Sequence, residues 1–454
     1  MSNIFFSLRN TIKHYASGSN VLIVATLLAL VCANVPAISG YYNQLWELPV
    51  SLQIGGFNLF SHGGHSMTLL QFVNDALMAI FFFTVGLEIK REVLIGELSS
   101  VSKAALPIVA ACGGMVLPVL VFFLIGTMEG GNFLNGCAIP MATDIAFSLG
   151  VLSMLGSRVP ISLKIFLTTL AVADDIGGIL VIAIFYGSEV NFSYLFVAFI
   201  ILALMFILGL KFNVKNKALY AIGGIVVWYL FVYSGIHATI SGVLVAFTIP
   251  ADPAVAPKKF LESIRKNISR FPAREDEDLD KKKMLSPSQL DWIKQIESAS
   301  TQMESPLQKF EDMLHSAVNM FILPIFAFAN AGIYLLDMDM SSVFGGVTLA
   351  IIGGLVIGKC VGIFTFTWLF IKLGLSKMPQ FSNWKMIFGV SMLGGIGFTV
   401  SLFIATLSFV GDAWTSILND AKLGIILGSL ISGVLGYLIL KFTLPKDSNY
   451  KEDF

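Results

Sequence analysis

The sequence predicts an all-α membrane protein that crosses the bilayer many times. Apolar residues make up 56% of its 454 positions, charged residues only 13%, and the mean hydropathy is +0.81. Charged residues account for roughly a quarter of an ordinary soluble domain. This chain therefore carries too few of them for a water-exposed surface, and its long apolar runs agree with that reading.

About twelve apolar runs approach the length of roughly 20 helical residues that a hydrocarbon core requires. Numbered as spans 1 to 12 in chain order, they centre near residues 29, 77, 114, 143, 172, 202, 225, 242, 322, 357, 396 and 430. Spans 7 and 8 are short and are separated only by "YSGIH". Span 1 is expected to be retained, with a cleaved signal peptide as the alternative.

The basic residues predict the orientation, because Lys and Arg are retained on the cytoplasmic side of a membrane. With twelve spans and both termini in the cytoplasm, only Lys359, inside span 10, and Lys422, near the outer end of span 12, depart from this rule. One missed span would have inverted every later loop, so the partition also supports the number of spans.

Four segments follow from these spans. Residues 1–250 hold spans 1 to 8, residues 251–304 a cytoplasmic loop, residues 305–442 spans 9 to 12, and residues 443–454 a cytoplasmic tail. The loop contains "REDEDLDKKK", whose composition cannot bury enough apolar surface to order the chain, so we expect it to be partly disordered. Its second part has Leu290, Ile293 and Ile296 at helical spacing, which indicates an amphipathic helix on the membrane surface.

A β-hairpin is predicted near residues 45–62, "LWELPVSLQIGGFNLFSH", on the outer side. Alternating residues in "VSLQI" followed by Gly55 and Gly56 favour two strands joined by a glycine turn, although a plain loop remains open as an alternative. Because a hairpin exposes strand edges that pair with other strands, this one is a candidate contact for a homodimer.

Five charged residues lie at membrane depth: Asp75, Asp144, Asp174, Asp175 and Lys359. A central Asp or Lys costs about 2.5 to 3.5 kcal/mol on an insertion scale, so each is expected to face a partner or a water-filled cavity. Asp174 and Asp175 are adjacent, and successive residues of a helix point about 100° apart. We therefore expect the two carboxylates to have different partners.

Two spans are interrupted near their middle. Span 4 contains Pro140 and then Thr143-Asp144, where a helix can restart with an N-cap, and span 11 contains Gly395 and Gly397 in "GGIGFT". These are the middle members of spans 3 to 5 and spans 10 to 12, two groups that begin on opposite sides of the membrane. Discontinuous helices in inverted repeats point to the central site of a secondary transporter. In the alternative interpretation, the only role of Asp144 is structural, as the N-cap of a broken helix.

Other classes of membrane protein fit less well. An intramembrane aspartyl protease needs GxGD, but "GIGF" has Phe398 in place of the acid. An ATP-driven pump needs a nucleotide site such as GxxxxGK[ST], which we do not find. A channel gives no reason for a central Lys beside an Asp pair. The closest rival is a sodium-coupled symporter of an organic solute. We expect no enzymatic activity, cofactor, nucleotide or nucleic acid; membrane lipid is the expected surrounding.

Seven motifs together resemble the NhaA family of bacterial sodium/proton antiporters. They are "FVNDALMAIFFFTVGLEIKRE", "GCAIPMATDIAFSLGVLSMLGSRVP", "LAVADDIGGILVIAIFY", "SGIHATISGVL", "LPIFAFANAG", "GLVIGKCVGI" and "GGIGFTVSLFIA". This family is itself one of those in which discontinuous helices of inverted repeats form the central site. The resemblance implies exchange of cytoplasmic sodium for external protons at the bacterial inner membrane, electrogenic and pH-regulated, by a dimer.

The resemblance also implies roles for individual residues. Asp144 and Asp175 correspond to the sodium-binding carboxylates, with Thr143 beside them, and Asp174 to the partner of Lys359. Asp75 and Asn74 match a further polar position in span 2. The candidates for pH regulation are Glu88, Lys90, Glu92, Glu311, Asp312, His315 and His237. Charged helix ends are common, so an ordinary solvated surface is the alternative for the cytoplasmic members of this set.

The residue types suit this chemistry without the resemblance. A small hard cation that has lost its water is bound best by oxygen, which carboxylates, hydroxyls and unwound carbonyls supply. Burial favours a protonated acid, whereas a bound cation favours the carboxylate, so sodium and protons compete for the same oxygens. We expect lithium to be accepted with sodium and the larger potassium to be disfavoured.

Overall fold

The computed structural model describes residues 18–55, 57–58, 60–62, 65–130, 133–187, 190–212, 214–253, 260–262, 264–265, 286–335 and 345–445. Within these residues, nine helices are long and apolar enough to cross a membrane. They are Leu69–Leu94, Val101–Met128, Leu134–Ser153, Ile161–Phe185, Phe192–Leu210, Lys217–Ser234, Pro306–Asn330, Gly346–Lys372 and Thr415–Thr443. Two bent pairs, Gly18–Asn34 with Pro36–Glu47 and Trp384–Leu393 with Phe398–Ser408, raise the number to as many as eleven, and Thr239–Thr248 is a shorter apolar helix.

Each predicted centre lies in one of these elements or, for residue 396, in the break of the second bent pair. The predicted all-α fold with many spans is therefore confirmed. Span 8 is Thr239–Thr248, whose length makes it too short to cross a bilayer alone. This length agrees with the short apolar run in the sequence.

Span 1 is followed by a sharp bend. Gly18–Asn34 and Pro36–Glu47 meet at 111°, and Val35 between them is extended because a residue before proline is disfavoured in the helical conformation. The second helix therefore folds away from the first. It is held against span 9 by Tyr42, whose hydroxyl donates to the Phe328 carbonyl at 2.5 Å.

The predicted hairpin is present within a larger set of short strands. The strands are β1 Pro49–Val50, β2 Gln53–Ile54, β3 Phe57–Asn58, β4 Ser61–His62 and β5 His65–Thr68. Strands β2 and β3 pair antiparallel across Gly55, whose φ of 65° suits glycine, and a second sheet has the order β1-β5-β4. The predicted boundaries need correction, because residues 45–47 end a helix and the pairing continues to Thr68.

Several predictions fall partly outside the described residues. Of the charged loop 251–304, residues 254–259, 263 and 266–285 lie outside, as do residues 1–17 and, in the predicted tail, 446–454. Within the loop, Pro287–Met303 is helical and begins with a capping box in which Ser286 and Gln289 bond reciprocally. The amphipathic spacing therefore corresponds to a real helix.

Tight backbone contact joins spans 3 and 10. A Cβ atom added at Gly113 would lie 2.4 Å from the Gly362 carbonyl oxygen, and one added at Gly362 would lie 2.1 Å from that of Gly113. Small residues let helices approach closely where no hydrophobic force drives them together. This contact packs span 10, which carries Lys359, against span 3, the first member of the group of spans 3 to 5 whose middle member is broken.

Candidate functional site

The breaks in spans 4 and 11 cross each other inside the protein. Span 4 is extended from Ala142 to Asp144 before its helix Ile145–Ser153 begins, and span 11 breaks between Leu393 and Phe398. The Asp144 amide donates to the Ile396 carbonyl at 2.6 Å, and the Thr143 hydroxyl donates to the Gly394 carbonyl at 2.9 Å. The unwound segment of each span therefore satisfies backbone groups of the other, as irregular backbone at membrane depth requires.

Asp144 caps two helix N-termini at once. One carboxylate oxygen accepts from the Phe147 amide of its own helix at 3.0 Å. The other accepts from the amide and the hydroxyl of Thr399, in span 11, at 3.1 and 2.5 Å. Asp144 is 2% exposed. Because helix N-termini carry partial positive charge, one carboxylate offsets both exposed ends.

Glycines at the break in span 11 make the crossing possible. A Cβ atom at Gly395 would lie 2.3 Å from the Leu355 carbonyl oxygen. At Gly397 it would lie 2.2 Å from the Ser401 hydroxyl and 3.0 Å from the Ala142 carbonyl oxygen. The two glycines named from the sequence therefore lie where another backbone or a hydroxyl fills the place of a side chain.

Lys359 and Asp174 form an ion pair that is wholly buried. Both side chains are 0% exposed, and the Lys359 ammonium donates to Asp174 and to the Met141 carbonyl. Met141 ends the last helical turn before the break in span 4. Lys359 therefore links span 10 to span 5 and places a positive charge at a carbonyl end of the broken helix, where the helix dipole favours a cation.

Asp175 lies on another face of span 5 from Asp174. It lines a cavity of about 320 Å³ that also reaches Asp144 and Thr143. The polar groups lining this cavity come from Ser19, Thr84, Glu88, Thr143, Asp144, Ser153, Asp175, His315, Asn319 and Thr399. Among the residues that the structure describes, none donates a hydrogen bond to the Asp175 carboxylate. The adjacent acids therefore have different surroundings, as predicted from their helical positions.

The cavity extends toward the end of the bundle where span 1 begins and span 4 ends. Gly18 and Ser153 line it at that level, together with Glu88 and His315. Two residues predicted to regulate the response to pH thus share one water-accessible space with the predicted ion ligands. The nitrogen Nε2 of His315 lies 3.2 Å from the side-chain amide of Asn319.

The remaining candidates for pH regulation at the charged helix ends divide into two groups. Arg91 pairs with Glu311 across spans 2 and 9 and with Glu92, the latter at 3.1 Å. Lys90 faces elsewhere: its ammonium donates to the Phe247 carbonyl at 2.8 Å, at the end of span 8. Asp312 is exposed. The sequence grouped all of these residues, but Lys90 caps a helix end.

Asp75, Asn74 and His237 lie away from this cluster. The nitrogen Nε2 of His237 is 3.7 Å from an Asp75 carboxylate oxygen, and Asn74 exchanges side-chain hydrogen bonds of 2.8 and 3.4 Å with Asn330. Asp75 and Asn74 sit in a π-helical turn, Val73–Leu77, within span 2. Two residues predicted separately, Asp75 and His237, are therefore neighbours.

The sequence analysis did not single out Thr399, which lines the cavity, or Asn330, the hydrogen-bond partner of Asn74. Thr399 gives Asp144 two of its three hydrogen bonds, and Asn330 is buried against Asn74. Both lay within quoted motifs, "GGIGFT" and "FAFANAG". The available signal was a polar side chain in an otherwise apolar span, which is costly unless it has a partner.

A multi-pass helical membrane protein, with broken spans crossing beside buried carboxylates, has the architecture of a secondary ion transporter. The model of the Na+/H+ antiporter 1 family matches residues 9–440, and the chain belongs to that family. It is similar to proteins named Na+/H+ antiporter NhaA from three bacteria. The relative from Bacteroides fragilis is 54% identical over 433 residues, covering 95% of this chain and 96% of the relative. The relative from Phocaeicola vulgatus is 52% identical over 444 residues, covering 98% of this chain and 97% of the relative. The one from Porphyromonas gingivalis is 48% identical over 424 residues, covering 93% of each chain.

Proposed function

We propose that this protein exchanges cytoplasmic sodium or lithium ions for external protons, and so serves sodium and pH homeostasis. The observation that carries the proposal is the cavity of about 320 Å³ that leads to Asp144 and Asp175. Two buried carboxylates reached by a water-accessible cavity supply the oxygen ligands that a small hard cation requires. Membership of an antiporter family supports the same function.

Asp175 is the central residue of the proposed site. The residue is 6% exposed, and no hydrogen bond from the described part of the chain offsets the charge of its carboxylate. A buried carboxylate needs a counter-charge or a proton. Sodium and protons each meet this need and exclude the other, which is the competition that exchange requires.

Asp144, Thr143 and Thr399 complete the proposed ligand set. All three line the cavity with Asp175 and supply a carboxylate and two hydroxyl oxygens. Two carboxylates at one site can take up two protons when one sodium leaves. A proton-to-sodium ratio above one, and therefore electrogenic exchange, is part of the proposal.

The proposal extends to the setting of the protein. We place it in the inner membrane with both termini in the cytoplasm, so that the cavity beside Gly18 and His315 opens to the cytoplasm. Regulation by pH is assigned to Glu88, Glu311 and His315. The β2–β3 hairpin is the proposed contact of a homodimer. No cofactor or enzymatic activity is proposed.

The direct test is proton flux in proteoliposomes that contain a fluorescent pH indicator. Adding sodium or lithium, with no organic solute present, should move protons at several pH values, whereas potassium should have little effect. Proton flux that depends on an added organic solute would favour the symporter instead. Flux whose rate rises when an ionophore collapses the membrane potential would support electrogenic exchange.

Two variants connect the flux to the site. Asp175→Asn should abolish sodium-dependent flux, because an amide cannot alternate between sodium and a proton. Glu129→Gln, at an exposed position outside the cavity, is the matched control and should exchange as the unmodified protein does. Retained exchange in Asp175→Asn would contradict the assignment of this residue.

A further inference from the structure

Hydroxyl groups in the spans of this protein commonly bond to a carbonyl one turn earlier in the same helix. This is the usual behaviour of serine and threonine in a helix interior. Examples are Thr84 to Ile80, Thr169 to Ile165 and Ser391 to Ile387, at 3.1, 2.9 and 2.8 Å.

Ser148 and Ser401 behave differently, because each reaches across to the other broken span. The Ser148 hydroxyl, in span 4, donates to the Leu393 carbonyl of span 11 at 3.0 Å. The Ser401 hydroxyl, in span 11, donates to the Ile139 carbonyl of span 4 at 2.7 Å. Both serines are 0% exposed. Each hydroxyl therefore satisfies a carbonyl where the first half of the opposite span ends.

The two serines occupy equivalent places in the two breaks. Ser148 lies four residues after Asp144, and Ser401 four residues after Gly397, and each of these earlier residues immediately precedes the second helical half of its span. Residues four apart lie on one face of a helix. The absence of a Cβ at Gly397 leaves room for Ser401, whose hydroxyl would otherwise be 2.2 Å away.

We propose that Ser148 and Ser401 are a matched pair of positioning residues that hold the two breaks in register and so fix the carboxylate of Asp144. The inference rests on the proposed ion exchange and concerns the same site. Asp144 bonds to Phe147 in one span and to Thr399 in the other. The position of the Asp144 carboxylate therefore depends on how spans 4 and 11 lie relative to each other. The two serine hydrogen bonds, one donated by each span, maintain that arrangement.

The pair compensates for an asymmetry between the breaks. Where span 4 has Asp144, span 11 has Gly397, so one carboxylate serves both helix N-termini. The carbonyl ends instead receive hydroxyls from the opposite span: Thr143 and Ser148 donate to span 11, and Ser401 donates to span 4. If the hydroxyl of Ser148 or Ser401 is lost, the two spans can shift relative to each other. This shift disturbs the geometry of the ion ligands before it unfolds the protein.

The test measures sodium and lithium KM and kcat in proteoliposomes for Ser148→Ala, Ser401→Ala and the double variant. Loss of one hydrogen bond of ordinary strength predicts a KM increase of about 2- to 10-fold in each single variant. We expect kcat to change less than about twofold. The double variant should raise KM by more than the product of the single effects, since either bond alone retains part of the register.

Ser391→Ala is the matched control. Ser391 is also 0% exposed and lies in the first half of span 11, but its hydroxyl donates to the Ile387 carbonyl of its own helix. Its KM should stay close to that of the unmodified protein. Ser148→Thr and Ser401→Thr, which keep the hydroxyl, should restore KM toward normal. Where an alanine variant does not fold, the cysteine variant of nearly the same volume replaces it.

The inference fails if the folded serine variants keep a normal KM, or if Ser391→Ala raises KM as much as they do. A general packing role would produce the second result. Failure of the proposed function is distinguishable, because the unmodified protein would then show no sodium-dependent proton flux at all.

Discussion

Removal of Lys359 should destabilise the protein strongly, because it leaves the carboxylate of Asp174 buried without its counter-charge. Both side chains of the pair are 0% exposed, and Lys359 also donates to the Met141 carbonyl. Breaking a buried pair by deleting one partner costs about 3 to 5 kcal/mol. That cost lowers the ratio of folded to unfolded protein roughly a hundredfold to several thousandfold.

The assay is thermal and denaturant unfolding of purified Lys359→Ala in detergent, followed by tryptophan fluorescence. Lys372→Ala is the control, since Lys372 lies in the same span but is exposed, and such changes usually stay within about 0.5 kcal/mol. The double variant Lys359→Ala/Asp174→Ala should be more stable than Lys359→Ala, because it removes the uncompensated charge. A double variant no more stable than the single one would refute the reasoning, as would a Lys359→Ala protein as stable as Lys372→Ala.

Three further predictions follow from the same contacts. Gly395→Ala should lower the melting temperature and the yield of folded protein, at a cost of about 1 to 3 kcal/mol, because its Cβ meets the rigid Leu355 carbonyl at 2.3 Å. Arg91→Ala should cost only about 0.2 to 1 kcal/mol, since its side chain is 38% exposed, yet it should shift the pH of half-maximal flux by releasing Glu311; an unmoved pH curve would contradict this. Asn330→Ala should cost about 1 to 3 kcal/mol in denaturant unfolding, because it leaves buried polar groups unpaired, and unchanged stability would oppose the assigned contact.

The spans could be predicted from the sequence because bilayer thickness imposes a length on every apolar run. The charges at membrane depth could be predicted as candidate site residues for a related reason: each is costly without a partner. Asp144 and Asp175 followed from that rule and from the resemblance. The bend at Val35 could also have been predicted, since Val35 precedes a proline.

Partners distant in the chain could not be predicted. Asp144 and Thr399 are 255 positions apart, and their bond depends on how two breaks cross in three dimensions. Lys90 looked like a member of the charged cluster, yet its side chain leaves the helix in another direction and meets the carbonyl of Phe247. Sequence spacing fixes the face of one helix but not which neighbouring helix that face meets.

The four acids at membrane depth differ in the groups that offset their negative charge, and this difference indicates their functional roles. Lys359 compensates Asp174, His237 lies beside Asp75, and three donors at two helix N-termini compensate Asp144. Within the described part of the chain, neither Asp75 nor Asp175 accepts a hydrogen bond, but Asp75 has the His237 ring 3.7 Å away, whereas Asp175 has no basic side chain beside it. A carboxylate whose charge the protein already balances gains little from binding a transported ion. The exchange should therefore depend most steeply on Asp175, while Asp144 supplies a preorganised ligand whose position the crossing of the two broken spans maintains.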